Sequence, residues 1–245
     1  MLSSLVKKDL KTRYKGSVLG FLWTFLNPLF QLLVYSLLFS VIMRSGIENY
    51  AMFLFVALVP WIFLSSAIAE GSRCIIASAG LIQKIYFPRI ILPISTVCST
   101  FMNMVFSFIV VFIALFLTGV GVSAAALLLP VVMVVEFIFV LGIVLIASAL
   151  NVYFRDLEYI LGIITMAWMY LTPILYSVDQ VPEQIAAFLY FNPMTGVILA
   201  YRDILFYQQM PNLETLLSAV LFAAVAIILG VFLFQRLQKR FAEEL

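Results

Sequence analysis

The sequence carries little charge, because only 14 of its 245 residues are basic and 12 are acidic. Soluble domains have about 25% charged residues, so this chain has roughly half the charge that a water-exposed surface needs. It contains no histidine, which removes the usual zinc sites and the histidine-based catalytic triads. A net charge of +2 is too small to indicate nucleic acid as a partner. These absences exclude an ordinary soluble domain and most metalloenzymes.

Two further kinds of site are missing from the sequence. Cys74 and Cys98 lack the spacing of a metal site or of a CxxC motif, and we expect them to be inert packing residues rather than a disulfide. No G-x-x-x-x-G-K-[ST] phosphate-binding loop occurs, and the polar segments are too short to fold into an ATPase. We therefore expect no metal or cofactor site in this chain.

What the sequence does have is long charge-free runs, and 65% of its residues are apolar. About 20 apolar residues in a helix cross the hydrocarbon core of a bilayer, which is about 30 Å thick. The run over 90–135 is long enough for two helices, which Gly119, Gly121 and Ser123 divide. We predict an all-α membrane protein, a single domain of residues 1–245, with six spans: 16–43, 49–69, two within 90–150, 159–178 and 215–235.

The basic residues lie mostly on one side of these spans. Twelve of them precede the first span, follow the sixth or lie in the second and fourth loops, whereas Arg44 and Arg202 fall on the other side. The positive-inside rule then places both termini in the cytoplasm. The first apolar run is too long for the core of a cleavable signal peptide, so we expect it to remain as a helix.

Residues 1–15 have the pattern of a basic amphipathic helix. One side of it carries Leu2, Leu5, Val6 and Leu10, and the other side carries four lysines. Such a helix lies in the membrane interface, where each basic side chain near anionic lipid contributes about 1 kcal/mol. The alternative is a charged flank that only orients the first span. The residues expected to contact lipid are Lys8, Lys11, Arg13, Tyr14 and Lys15.

The loop 70–89 is too apolar for a solvated connection. Pro88 ends any helix there, so the sequence predicts a short helix over about 81–87 with apolar and aromatic side chains beside Lys84 and Arg89. This segment either folds back against the membrane surface or docks a soluble partner.

The segment 178–214 contains a charge-free stretch, 184–201, that is broken by Asn192-Pro193 and Gly196. Both of its ends lie outside the cell in the predicted orientation, so it cannot cross the membrane. A re-entrant helical hairpin satisfies this constraint, since irregular backbone at depth is allowed only against protein or a water-filled cavity. The residues expected to line or close the outer mouth of a pathway are Phe191, Asn192, Pro193 and Tyr201.

Glu136 is the one acidic residue inside a predicted span. A charge at the centre of a helix in the membrane costs about 2.5–3.5 kcal/mol, so this carboxyl faces protein or water, or is protonated. It is a candidate for a functional role. The alternative is a neutral carboxyl that is hydrogen-bonded between helices.

Aromatic stripes occur on the first and fifth predicted spans. Aromatic rings stack on the apolar faces of sugars, so two such stripes around a wet pore suit a glycan that slides. Packing against lipid or other helices is the alternative, because the third span has a similar stripe. The candidate channel residues are Phe21, Trp23, Phe25, Tyr35 and Phe39 on the first span, and Tyr159 and Tyr170 on the fifth.

Several short motifs follow one another along nearly the whole chain. They are DLKTRYKGSVLGFLW at 9–23 with Asn27-Pro28 after it, LVPW at 58–61, LIQKIYFPR at 81–89, NVYFRD at 151–156, NPMTG at 192–196 and YRD at 201–203. Taken together, the chain resembles the membrane subunit of type 2 ABC exporters for polysaccharides. This is the family of O-antigen, capsule and teichoic-acid export permeases.

The resemblance implies a homodimer in the cytoplasmic (inner) membrane of a bacterium or archaeon, with both termini in the cytoplasm. Two copies of a separate cytoplasmic ABC ATPase subunit would bind ATP and Mg, so this chain would be a transport subunit and not an enzyme. The cargo would be a lipid-linked glycan that moves outward between the two subunits. A drug or lipid exporter of the same superfamily is the alternative.

The resemblance also implies roles for particular segments. Residues 81–89 resemble the helix that couples such a permease to its ATPase, here through Leu81, Lys84, Tyr86, Phe87 and Arg89. The N-terminal helix resembles the interfacial helix of the family, and the hairpin within 178–214 resembles its extracellular gate. The first and fifth spans correspond to the lateral gate and the channel wall.

Overall fold

The computed structural model of the protein describes residues 2–14, 16–38, 46–85 and 87–244, with the backbone alone at 11–14, 183, 185–187 and 242–243. In these residues the regular structure is helical. The helices are α1 Leu2–Tyr14, α2 Trp23–Ser36, α3 Tyr50–Ala77, α4 Ala79–Ile82, α5 Ile91–Leu117, α6 Leu129–Tyr153, α7 Leu157–Leu171, α8 Glu183–Tyr190, α9 Pro193–Leu205, α10 Leu213–Leu237 and α11 Phe241–Glu244.

Four helical stretches of the described chain are long and apolar enough to cross a membrane. They are Tyr50–Ala77, Ile91–Leu117, Ala124–Tyr153 and Leu213–Arg240. α5 ends at Leu117, and the chain turns through Gly119 and Gly121, both with positive φ, as their position in the long apolar run predicts. Within the described part of the first predicted span, α2 is a 14-residue helix that contains Pro28.

α3 lies at the centre of the bundle, where it contacts α2, α5, α6, α7 and α9. It is longer than predicted, ending at Ala77 instead of 69. Glu70 and Arg73 have good helix propensity, so the polar residues that suggested a loop do not end the helix. The helix stops only where Ser78 leaves helical geometry, shortly before Gly80.

α6 and α10 pack with their backbones almost in contact. A Cβ atom on Gly142 would lie 2.4 Å from the carbonyl carbon of Ala226, and one on Gly230 would lie 2.5 Å from the oxygen of Gly142. Small residues at such a crossing let two membrane helices approach closely. Near their C-terminal ends the hydroxyl of Tyr153 donates to the carbonyl of Leu237 at 2.9 Å, so the two helices run parallel.

One end of the bundle, which we call the basic end, contains residues 82–85, residues 87–90 and the C-terminal end of α10. A separate apolar cluster fills it, with Ile75, Phe87, Phe234 and Phe241 among its buried members. The short helix here is α4, which ends at Ile82 and does not extend over 81–87 as predicted. Phe87 precedes Pro88, whose ring disfavours helical backbone at the residue before it.

The opposite end, which we call the hairpin end, is formed by α8 and α9. α7 ends at Leu171 rather than near 178, because Thr172 precedes Pro173 and adopts extended backbone. α9 begins at Pro193, where the Asn192 side chain caps it by accepting from the backbone amide of Met194 at 3.0 Å. A Cβ atom on Gly196 would lie 2.5 Å from the carbonyl oxygen of Thr215, so α9 packs closely on the start of α10.

Candidate functional site

A buried hydrogen bond joins α6 to α9 near the hairpin end. The hydroxyl of Tyr201 donates to Oε2 of Glu136 at 2.7 Å, and neither side chain is accessible to solvent. The Tyr201 ring stacks on Phe108 of α5, with 5.4 Å between ring centroids. This contact favours the interpretation of Glu136 as a carboxyl that is hydrogen-bonded between helices. The other oxygen, Oε1, has no hydrogen-bond partner among the described residues.

Arg202, the next residue of α9, is also buried, with 1% of its surface exposed. Its guanidinium donates to the backbone carbonyls of Phe53 at 3.3 Å, Ile174 at 2.6 Å and Tyr176 at 3.3 Å, and also to that of Pro173. It lies 3.5 Å above the centroid of the Phe53 ring. Arg202 therefore joins α9 to the start of α3 and to the segment after α7. The sequence placed its charge on the outer face but did not indicate that it is buried.

Asp203 completes a run of three consecutive anchoring residues. Its Oδ1 accepts from the Gln209 side chain at 2.8 Å, and its Oδ2 accepts from the backbone amide of Asn212 at 3.3 Å, just before α10. The motif Tyr201-Arg202-Asp203 thus connects α9 to three separate parts of the bundle. Two signals of this are present in the sequence: polar residues at the end of an apolar stretch, and the motif YRD at 201–203.

We expect the Glu136–Tyr201 contact to contribute measurably to stability. In Tyr201→Phe, the Glu136 carboxyl loses its buried donor, and an unsatisfied buried acceptor costs about 1–3 kcal/mol. The unfolding midpoint of the detergent-solubilised protein should fall accordingly, as followed by loss of helical circular dichroism with increasing denaturant. Tyr207→Phe, which removes the hydroxyl of an exposed tyrosine two residues beyond α9, is the control. Equal midpoints for the two variants would show that the contact contributes nothing.

Asn192 connects the turn between α8 and α9 to the end of α7. Its Oδ1 accepts from the indole of Trp168 at 2.8 Å, and its amide donates to the carbonyl of Leu171 at 3.1 Å and to the hydroxyl of Thr172 at 2.9 Å. Of the other predicted gate residues, Phe191 is exposed, Pro193 is half-buried and Tyr201 is buried. Trp168, which the sequence did not single out for this region, is the main partner of the turn.

The predicted channel aromatics fall on two helix faces. Tyr159 and Tyr170 on α7 are exposed, the first to 70%. Phe21, just before α2, and Trp23, its first residue, are also exposed, whereas Phe25 and Tyr35 are half-buried. The hydroxyl of Tyr35 lies 4.0 Å from the sulfur of Met169, so α2 and α7 approach each other there. Phe39 lies outside the described residues.

At the basic end, the predicted coupling residues separate into exposed and anchored groups. Lys84 is exposed, as is its neighbour Ile85, while Leu81 is half-buried and Phe87 is 8% exposed within the apolar cluster. Arg89 is half-buried and donates to the carbonyl of Gln238, at the end of α10. Tyr86 lies outside the described residues. A recess of about 720 Å³ runs between residues 82–85 and 87–90 on one side and the end of α10 on the other.

The N-terminal residues form helix α1, which packs against α5. Lys8 is exposed on it. The side chains of Lys11, Arg13 and Tyr14 are not among those that the structure describes, and Lys15 lies outside the described residues. A helix is therefore present over the predicted residues, and it lies against the bundle.

Comparison with known proteins links this arrangement to a family. The family described as ABC-2 type transporter matches residues 2–206. The chain is 36% identical to the O-antigen export system permease protein RfbA of Myxococcus xanthus, over 100% of this chain and 95% of that protein. It is 36% identical to the protein of the same name from Klebsiella pneumoniae, over 99% and 94%. It is 24% identical to the polysialic acid transport protein KpsM of Escherichia coli, over 96% and 92%.

Proposed function

We propose that this chain, which belongs to the ABC-2 type transporter family, exports a lipid-linked glycan across the cytoplasmic membrane. It is the permease subunit of a polysaccharide exporter. The observation that carries this is full-length similarity to permeases named for O-antigen export. Polysialic acid, named for a more distant relative, is also a sugar polymer. The exposed aromatic faces of α2 and α7 are suited to such a cargo.

We propose that the subunit crosses the membrane six times and keeps both termini in the cytoplasm. α2 and α7 supply the first and fifth spans, and α8 and α9 form a re-entrant hairpin on the outer side. Burial of Arg202 supports this orientation, because its charge is enclosed by carbonyls and does not act as a free charge on the outer face. With Arg202 left out, the accessible basic residues lie almost entirely on the cytoplasmic side of the proposed spans.

The proposed assembly is a homodimer with two copies of a separate ATPase, which binds ATP and Mg. The exposed faces of α2 and α7 meet their counterparts in the second subunit around the channel. The hairpin around Phe191, Asn192 and Pro193 closes the outer mouth. The bond between Asn192 and Trp168 ties that gate to the channel wall helix, so the two move together.

Residues 81–89 are proposed to receive the movement of the ATPase. The exposed residues Lys84 and Ile85 make the contact, and the buried Phe87 with Arg89 carries it into the subunit. Arg89 holds the end of α10, which packs backbone to backbone with α6. A push on this segment therefore moves two spans as one unit.

This proposal predicts that the double variant Lys84→Glu/Ile85→Glu separates ATP hydrolysis from export. Neither side chain is buried, so the fold should be retained while this part of the contact with the ATPase no longer transmits movement. Surface glycan in cells that lack the native gene should fall at least about tenfold, whereas the purified complex should still hydrolyse ATP. Arg236→Glu, an exposed charge reversal on α10 at the same end, is the control.

Normal export by the double variant would contradict the coupling role. If wild-type cells exported no glycan, and small amphiphiles rather than lipid-linked glycan stimulated the ATPase of the complex, the cargo would be a drug or lipid instead.

A further inference from the structure

The recess of about 720 Å³ at the basic end carries charge of one sign on its wall. Its charged lining residues are Lys84, Arg89 and Lys239, and the described residues of the wall include no acidic side chain. A cleft lined by one sign of charge concentrates its electric field and attracts groups of the opposite sign. We call it the basic recess, and its charge suits an anionic occupant.

The two lysines of the basic recess are free to meet such an occupant. Lys84 and Lys239 are both exposed, and within the described part of the chain neither takes part in an ion pair. Arg89 is held differently, because its guanidinium donates to the carbonyl of Gln238 across the recess. Arg89 therefore joins the two walls, and the lysines are the charges that a partner can reach.

The end of α10 turns one particular face toward the basic recess. Gln235 and Lys239 both line it and lie about one helical turn apart. Arg236 and Arg240 each follow one of these residues directly, and they do not line the recess. The positive-inside rule explains why basic residues gather at this end, but it selects no face. The meeting of Lys84 with Lys239 is therefore a feature of the packing.

The basic recess lies where a water-soluble protein can reach it. The charge-free run 215–234 of α10 is 20 residues long, and as a helix it spans about 30 Å, the thickness of the hydrocarbon core. The polar residues 235–240 follow this run, so they extend beyond the hydrocarbon. The recess also adjoins Lys84 and Ile85, the exposed pair proposed to contact the ATPase. This continuity favours the ATPase over a lipid as the occupant.

We infer that the basic recess receives an acidic side chain of the ATPase subunit, so that the end of α10 is a second part of the docking surface. The inference rests on the proposed function, because it names the chemistry of a contact that residues 81–89 begin. The carboxylate lies between Lys84 and Lys239, and the amide of Gln235 offers it a further N–H donor. The ATPase then holds both walls of the recess, which Arg89 keeps together.

Binding between the two subunits tests this contact. Full-length permease in nanodiscs without anionic lipid is titrated with the ATPase subunit purified from the same complex. We expect binding about tenfold weaker in Lys239→Glu, because the carboxylate would then face a like charge. Arg236→Glu and Arg240→Glu reverse charges outside the recess, so screening should limit their effect to less than about threefold.

Carbodiimide cross-linking of the complex identifies the partner group. This reagent condenses a lysine amine with a carboxyl group that contacts it, so mass spectrometry should find Lys239 or Lys84 joined to an aspartate or glutamate of the ATPase. Lys239→Arg keeps the positive charge but has no amine. It should therefore lose the cross-link at this position and still bind the ATPase about as tightly as the wild type does.

Three results would overturn the inference. They are equal binding by Lys239→Glu and Arg236→Glu, cross-links from both lysines only to carboxyl groups of the permease, or an effect of Lys239→Glu that appears only when phosphatidylglycerol is added to the nanodiscs. The last result would assign the recess to an anionic lipid.

Failure of this inference is distinguishable from failure of the proposed function. If one of these results occurs while Lys84→Glu/Ile85→Glu still separates ATP hydrolysis from export, the basic recess alone is wrongly assigned. The proposed function fails instead if that double variant exports normally, or if cells with the wild-type protein export no glycan.

Discussion

Replacing Arg202 by leucine is expected to destabilise the protein by several kcal/mol and to abolish export. The buried carbonyls of Phe53, Pro173 and Ile174, and the partly buried one of Tyr176, would lose their donor together. Each unsatisfied buried acceptor costs about 1–3 kcal/mol, although relaxation makes the sum smaller than the separate costs. The denaturant midpoint and the amount of folded protein in the membrane would both fall.

Two matched variants show whether the loss of stability comes from losing the branched guanidinium group of Arg202 or only from losing its charge. Arg202→Lys keeps the charge, but one ammonium group cannot reach carbonyls on two sides, so we expect a loss between wild type and leucine. Arg73→Leu removes an arginine whose side chain is 58% exposed and 3.8 Å from Glu158, and it should cost no more than about 1 kcal/mol. Similar midpoints for Arg202→Leu and Arg73→Leu would refute the anchoring role.

Gly142→Ala is expected to separate α6 from α10 and to reduce stability by about 1–3 kcal/mol or more. Its Cβ atom would lie 2.4 Å from the backbone of Ala226, and a backbone cannot move aside as the end of a flexible side chain can. The helices would have to move apart by about an ångström along their shared length, losing dispersion contacts on both faces. Export should fall together with stability, because α6 and α10 connect the basic end to the rest of the helical bundle.

Gly162→Ala on α7 is the matched control for this prediction. A Cβ atom there has no heavy atom within 4 Å, so the change should be neutral or should stabilise the helix by up to about 1 kcal/mol. The measurement is the unfolding midpoint of both variants in one detergent. If Gly142→Ala matched Gly162→Ala, the close approach of α6 and α10 would not matter for stability.

Local sequence patterns predicted much of the helical architecture. Charge-free runs located α3, α5, α6 and α10, since the length of a membrane helix follows from the thickness of the bilayer. The paired glycines after Leu117 located a turn, and Asn192-Pro193 located the start of α9. The early end of α7 also has a local cause, because Pro173 lies inside the predicted span and disfavours helical backbone at Thr172.

By itself, the sequence determined that the chain is a helical membrane protein of this family, because composition, run length and short motifs are local properties. The tertiary structure alone decided what Glu136, Arg202 and Gly142 do. Their partners are distant in sequence: Tyr201 is 65 residues from Glu136, and Phe53 is 149 residues from Arg202. Helical periodicity shows which residues share a face, but not which helix that face meets. Which helices meet depends on how all of them pack together. This packing buries Glu136 and Arg202, and both side chains then hold the hairpin end together.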